Sequence, residues 1–227
     1  MNKNNLVISL VLNTIIFIMV LLGIIFMITG FNFMADTKIL TSTGLSALKY
    51  YTVDSNILAG ITSLLFVVYE CLVLKKRINT IPKFVYILKY ISTVAVSLTF
   101  LVTLFYLAPS FGKHFWFLYQ NSNLFFHLLV PILCFISFTI FEKTKLSFKY
   151  TLWSVSTMVL YGIFYIGNIL IHQENGIVSL EYDWYGFLKG NTSSIFVVFT
   201  IILLFTYLIG LAIFKINSSN KQVEVTK

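Results

Sequence analysis

The sequence predicts an all-α integral membrane protein: a six-transmembrane-helix bundle with both termini cytoplasmic. Three observations predict it. Of 227 residues, 58% are hydrophobic, more apolar surface than a soluble domain of this length can bury. The apolar residues fall into six runs, about 6–29, 53–74, 84–108, 122–141, 151–172 and 193–214. Each reaches the roughly 20 residues that a helix needs to cross the hydrocarbon. The basic residues lie between the runs and are shared unequally between the two faces.

The first run is longer than a signal-peptide core and shows no small-residue cleavage site, so it is read as a retained span. Residues 1–214 form one polytopic membrane domain with no internal repeat. Residues 215–227 form a polar cytoplasmic tail, and its "NSSNKQVEVTK" end is expected to be disordered. One face carries Lys3, Lys75, Lys76, Arg77, Lys83, Lys143, Lys145, Lys149, Lys215, Lys221 and Lys227, and the other carries Lys38, Lys49, Lys113 and Lys189. Eleven against four puts the first face inside. Lys89 is left out because it lies within the third run.

The net charge of +8 is therefore topological, and no nucleic-acid partner is expected. Lys outnumbers Arg fifteen to one among many Ile, Asn and Phe, a bias of AT-rich microbial genomes. A microbial plasma membrane is the expected location. Cys71 and Cys134 lie inside apolar runs and read as packing residues. No metal-binding or cofactor motif is present, so no metal and no cofactor is expected.

Polar residues gather at one depth. "YYTVDSN" places Thr52, Asp54, Ser55 and Asn56 at the outer mouth of the second run. The fourth run opens "NSNLFFHLLVPIL", bringing Asn121, Asn123 and His127 to the same level, and the fifth ends "GNILIH", adding Asn168 and His172. The pairs Thr52/Asn56, Asn123/His127 and Asn168/His172 are each four apart, so each pair shares a helical face. Polar faces are costly in lipid and should point into the bundle. A polar pocket roughly 5 to 10 Å below the outer surface follows from about 1.5 Å of rise per residue. The inner half holds far fewer polar groups.

Plainer roles exist for these residues. Ser55 and Asn56 suit interhelical hydrogen bonding. Thr52 and Asp54 suit the N-terminus of the second helix. His172 suits the interface. His127 stands out because it lies more than a turn into an apolar helix, where a neutral imidazole is a ready general base. Glu70 follows Thr52 by eighteen residues, about 27 Å of helix. It is expected near the cytoplasmic face, paired with Lys75, Lys76 or Lys89. The loop "GIVSLEYDWYGFLKG", with Trp184, reads either as an aromatic belt at the interface or as a lid. Its acids Glu181 and Asp183 suit an external loop.

A hydroxyl, an imidazole and amides at one depth match a nucleophile, a base and oxyanion stabilisers. Thr52 and Ser55 both offer the hydroxyl, and spacing does not choose between them. Asn123 and Asn56 are the candidates to orient the His or to stabilise the oxyanion. No HExxH, P-loop or GxSxG motif is present.

These motifs resemble the androgen-induced-gene/ADTRP-like family of six-span membrane threonine hydrolases. The resemblance covers most of the chain. Thr52 matches the family's Thr at the mouth of the second span. Asn123, His127 and Pro131 match the start of its fourth span. "DWYGFL" loosely matches a Trp-x-Tyr-Pro-Phe-Leu stretch before the last span, with Gly186 in place of Pro. The "T-x-x-S-N" form is that of the bacterial branch. The resemblance implies a Thr52 nucleophile with a His127 base. Animal members cleave fatty acid esters of hydroxy fatty acids; for a microbial relative another membrane lipid or acyl ester is the expected substrate. The alternative from the same cluster is a carrier or sensor for a small polar or amphiphilic solute, with Asp54 and His127 coupling it to protons.

Overall fold

The computed structural model describes residues 2–34, 44–110, 112–188 and 191–219. Lys38, Lys189 and the tail from residue 220 onward lie outside the described residues. Among the described residues six helices are long and apolar enough to cross a membrane: α1 (Lys3–Thr29), α2 (Tyr51–Leu74), α3 (Lys83–Ser110), α4 (Ser122–Phe141), α5 (Phe148–His172) and α6 (Thr192–Ser218). They agree with the six apolar runs to within a few residues. A helix satisfies its own backbone, which is why such runs fold this way where water is absent.

The ends carry local signals. The Asn2 side chain caps α1 by accepting from Asn5 N–H at 2.8 Å. Gly30 stops α1 in the left-handed conformation, at φ 69°, which a glycine adopts without steric cost.

Helix α3 is the axis of the bundle. Every residue from Lys89 to Thr99 is buried, and α3 packs against α2, α4, α5 and α6. Helix α1 lies outside, against α2 and α4. The outward faces are apolar, with Val11, Ile18 and Ile25 on α1 and Leu160, Ile163 and Ile201 on α5 and α6 all exposed. Polar residues such as Asn13, Ser63, Ser92 and Thr93 are buried instead. That inversion suits a lipid solvent.

The chain passes back and forth, so α1, α3 and α5 end where α2, α4 and α6 begin. We call this the far end and the opposite one the termini end. The termini half is more polar than the sequence suggests. Lys89 Nζ donates to Asn13 Oδ1 at 2.6 Å and to Ser63 Oγ at 2.8 Å, and stands 3.9 Å from Glu142 Oε1. Lys89 therefore pairs with Glu142. Glu70, fully buried, has no hydrogen-bond partner. The reason is the central place of α3, which turns Lys89 inward toward the turn that ends α4. In the sequence, Glu142 reads as the first charge of a loop.

Gly60 lies at a close approach of α2 to α1. A Cβ there would lie 2.8 Å from Cγ1 of the buried Val20, and Val is stiff at χ1. Gly60→Val is expected to cost about 1–3 kcal/mol through overpacking, read as a lower melting temperature in detergent.

Candidate functional site

The site begins with an irregular turn in α4. Phe125–Leu129 form a single π-helical turn, a feature often found at functional sites. Pro131 shapes it. Val130 N–H donates to Phe125 O, and the next carbonyl in that ladder, Phe126 O, would need a donor from residue 131. Proline has none. Asn56 Nδ2 supplies it at 3.1 Å and also donates to Thr52 O at 2.7 Å. One side-chain amide thus bridges the backbone of Thr52 to the residue beside His127.

His127 is 6% exposed. Its Nδ1 lies 2.8 Å from Leu118 O. A carbonyl oxygen only accepts, so Nδ1 carries the hydrogen and Nε2 keeps its lone pair. Leu118 belongs to a short distorted helix, Gly112–Tyr119, just before α4. Asn121 holds this region to the end of α1, its Oδ1 accepting from Phe33 N–H and Met34 N–H, both at 2.9 Å.

A cavity of about 440 Å³ opens at the far end, lined by Thr52, Asn123, His127, Trp184, Tyr185 and Gly186 among others. Thr52, Asn123, His127 and Trp184 are residues that the sequence brings forward, and they do converge. The π turn replaces the simple α-helical spacing assumed for Asn123 and His127, yet both still line this cavity.

A second, strongly apolar chamber of about 400 Å³ lies between α3, α5 and α6, lined by residues such as Leu98, Val102, Met158, Ile166 and Ile202. It reaches the outward-facing Phe105 and Ile201, which are exposed. Thr52 lines both spaces, as do Tyr106, Leu107 and Tyr185. Thr52 therefore stands where a cavity of mixed lining, which holds His127 and Asn123, meets an almost wholly apolar one.

The aromatic loop lines the cavity through Leu180, Trp184, Tyr185 and Gly186. Asp183, in that loop, is fully buried. It accepts from the Tyr165 hydroxyl, from Phe187 N–H at 3.2 Å and from Leu188 N–H at 3.0 Å. Three donors satisfy the carboxylate and pin the loop to α5. Trp184 Nε1 donates to the Tyr161 hydroxyl at 2.9 Å, which in turn donates to Lys49 O at 2.8 Å.

Tyr185 is the residue that sequence reasoning missed. Its hydroxyl accepts Tyr51 N–H at 2.8 Å and bears on the N–H and hydroxyl of Thr52. It caps α2, whose own N-cap Tyr50 makes no side-chain capping bond. Burial pushes the Tyr185 hydroxyl up to about 12, so it stays a neutral O–H donor. Its signal in the sequence was the aromatic motif itself, with nothing to mark which ring reaches α2.

Other candidates lie off the cavity. Asp54 is exposed. Ser55 is buried against α3, donating to Thr52 O at 3.0 Å and meeting Thr99 Oγ1 at 3.2 Å. Asn56 acts on the backbone, as described. Asn168 Nδ2 donates to Tyr182 O at 3.3 Å, and His172 is exposed, stacked on the Tyr182 ring at 3.9 Å. These last two fasten the loop. Among the described residues no group of three His, Cys, Asp or Glu side chains could hold a metal ion.

No family model, curated protein or solved structure matches the chain.

Asn56→Ala removes both donors of the bridge and leaves Phe126 O unsatisfied. It is expected to cost about 1–3 kcal/mol, measured by thermal unfolding. It is also expected to loosen His127, visible as line broadening of the imidazole resonances in solution spectra.

Proposed function

We propose that the protein is an intramembrane hydrolase, or acyl transferase, acting on a lipid ester, with Thr52 as nucleophile and His127 as general base. One observation carries the reading: Thr52 and His127, from different helices, line a single cavity, and Thr52 also borders an apolar chamber. The resemblance of the flanking motifs to a family of threonine hydrolases points to the same pair.

Each group has a role. His127 Nε2 takes the proton from Thr52 Oγ1 as that oxygen bonds to the ester carbonyl carbon. The Tyr185 hydroxyl, whose oxygen accepts from Tyr51 N–H and which neighbours the Tyr161 hydroxyl, turns its hydrogen to the developing oxyanion. The positive end of the α2 dipole adds to that stabilisation. The intermediate collapses, the C–O bond to the alcohol breaks, and His127 returns the proton to the leaving oxygen. Water, or a second alcohol, then attacks the acyl-threonine with His127 again as base, releasing acid or new ester and restoring Thr52. The apolar chamber suits the acyl chain, and the mixed cavity with Asn123 and His127 suits the alcohol half. Asp54, which a proton-coupled carrier would use, lies outside the cavity, so the hydrolase reading is the better supported.

A fluorophosphonate probe is expected to label the purified protein at Thr52. Labelling is lost in Thr52→Ala and in His127→Ala, and kept in Ser55→Ala. Labelling that survives Thr52→Ala removes this residue as nucleophile. Absence of labelling in folded wild type, with saturable solute binding, favours the carrier.

Tyr185→Phe is expected to lower ester turnover by about 10²–10³-fold, as for loss of an oxyanion donor. Because burial holds this hydroxyl up to about 12, it remains protonated through the neutral and mildly alkaline range. The variant therefore lowers the plateau of the pH–rate profile without moving its alkaline limb.

A further inference from the structure

A second polar cluster lies in the termini half, remote from Thr52. Lys89 on α3 and Glu142 at the end of α4 are both fully buried. Glu142 Oε1 accepts from Asn13 Nδ2 at 2.8 Å, from the Ser137 hydroxyl, and from Ser9 Oγ at 3.5 Å, with Lys89 Nζ at 3.9 Å. So many donors on one oxygen mark an ionised carboxylate. The ammonium of Lys89 donates to Asn13 and Ser63 and is ion-paired with Glu142. Lys89 and Glu142 thus neutralise each other.

Glu70 is left over. It is 0% exposed, and neither of its oxygens has a hydrogen-bond partner. Ser9 lies beside it, and Lys89 and Glu142 are within electrostatic reach, but the ion pair that Lys89 makes is with Glu142. From α3 the titratable groups facing it are Tyr86 and Lys89. From α4 they are Glu142 and, next to the Lys89–Glu142 pair, Cys134. An unpaired carboxylate buried here is very costly, whereas a carboxylic acid needs only an acceptor for its hydrogen. The same cluster offers one: Glu142 Oε2 is buried and unpartnered, and Glu142 is within electrostatic reach of Glu70.

We propose that Glu70 and Glu142 form a proton-binding site in the termini half of the bundle, with the proton on Glu70 and Glu142 Oε2 as its acceptor. Two carboxyls sharing one proton, beside one lysine, leave the cluster electrically neutral within the hydrocarbon. A proton fits better than a metal ion, since the described residues do not assemble a three-ligand set of His, Cys, Asp or Glu. Glu70 lies five residues before Lys75, about 7 Å along the helix. The proton therefore exchanges with the aqueous phase at the termini end.

Infrared spectroscopy of the full chain in lipid nanodiscs tests the site. Wild type should show a carboxylic-acid carbonyl band that shifts in heavy water and is absent in Glu70→Gln, but unchanged in Asp54→Asn. Heavy-carbon labelling of the glutamates should move the band in wild type itself, so the result does not depend on a variant folding. A band that persists in Glu70→Gln, or no glutamate-derived band in wild type, overturns the proposal. Melting gives an independent reading. Glu70→Gln mimics the neutral acid and should melt close to wild type, whereas Glu142→Gln strands Lys89 and should melt lower. A wild-type melting point that rises in sodium chloride over choline chloride, and no longer does so in Glu70→Gln, would identify an alkali cation instead and also overturn it.

Discussion

Within hydrocarbon, a polar group that lacks a protein partner has no water to replace it, and this constraint organises the molecule. The bundle answers it by turning its polar side chains toward α3 and its large apolar ones outward. The Asn56 amide is the most consequential case. It satisfies a carbonyl that Pro131 leaves without a donor, and the same amide holds Thr52 O. A backbone debt on α4 is settled by α2, and the two helices are thereby locked at the level of the candidate site.

The far end and the termini end use this constraint differently. At the far end the polar groups surround open space, with the His127 tautomer set by Leu118 O and the loop pinned through Asp183. A fixed frame around a cavity is what pre-organised chemistry needs. At the termini end the polar groups contact one another directly, through Lys89, Asn13, Ser63 and Glu142. Such a network fixes the register of four helices. It leaves three carboxylate oxygens, two on Glu70 and one on Glu142, without partners.

The aromatic loop joins the two themes. Its Asp183 is an anchor, its Trp184 reaches Tyr161, and its Tyr185 caps α2 beside Thr52. A loop that lines the cavity also completes the helix that carries the candidate nucleophile, so site geometry and loop docking are coupled.

The six spans and the shared depth of Thr52, Asn123 and His127 were legible in the sequence, because span length and polar position along a helix are one-dimensional properties. Which faces turn inward was legible only in part. Asp54, Ser55 and Asn56 are neighbours of Thr52 in sequence, yet one is exposed, one faces α3 and one bridges to α4. Tyr185, Glu142 and Lys89 meet their partners across large sequence separations, and no local pattern encodes such a meeting. The sequence by itself determined the membrane architecture and the level of the site, since hydrophobicity and helical rise act residue by residue. Only the tertiary structure decided who faces whom, because helix rotation and loop docking are set by packing among all six helices at once.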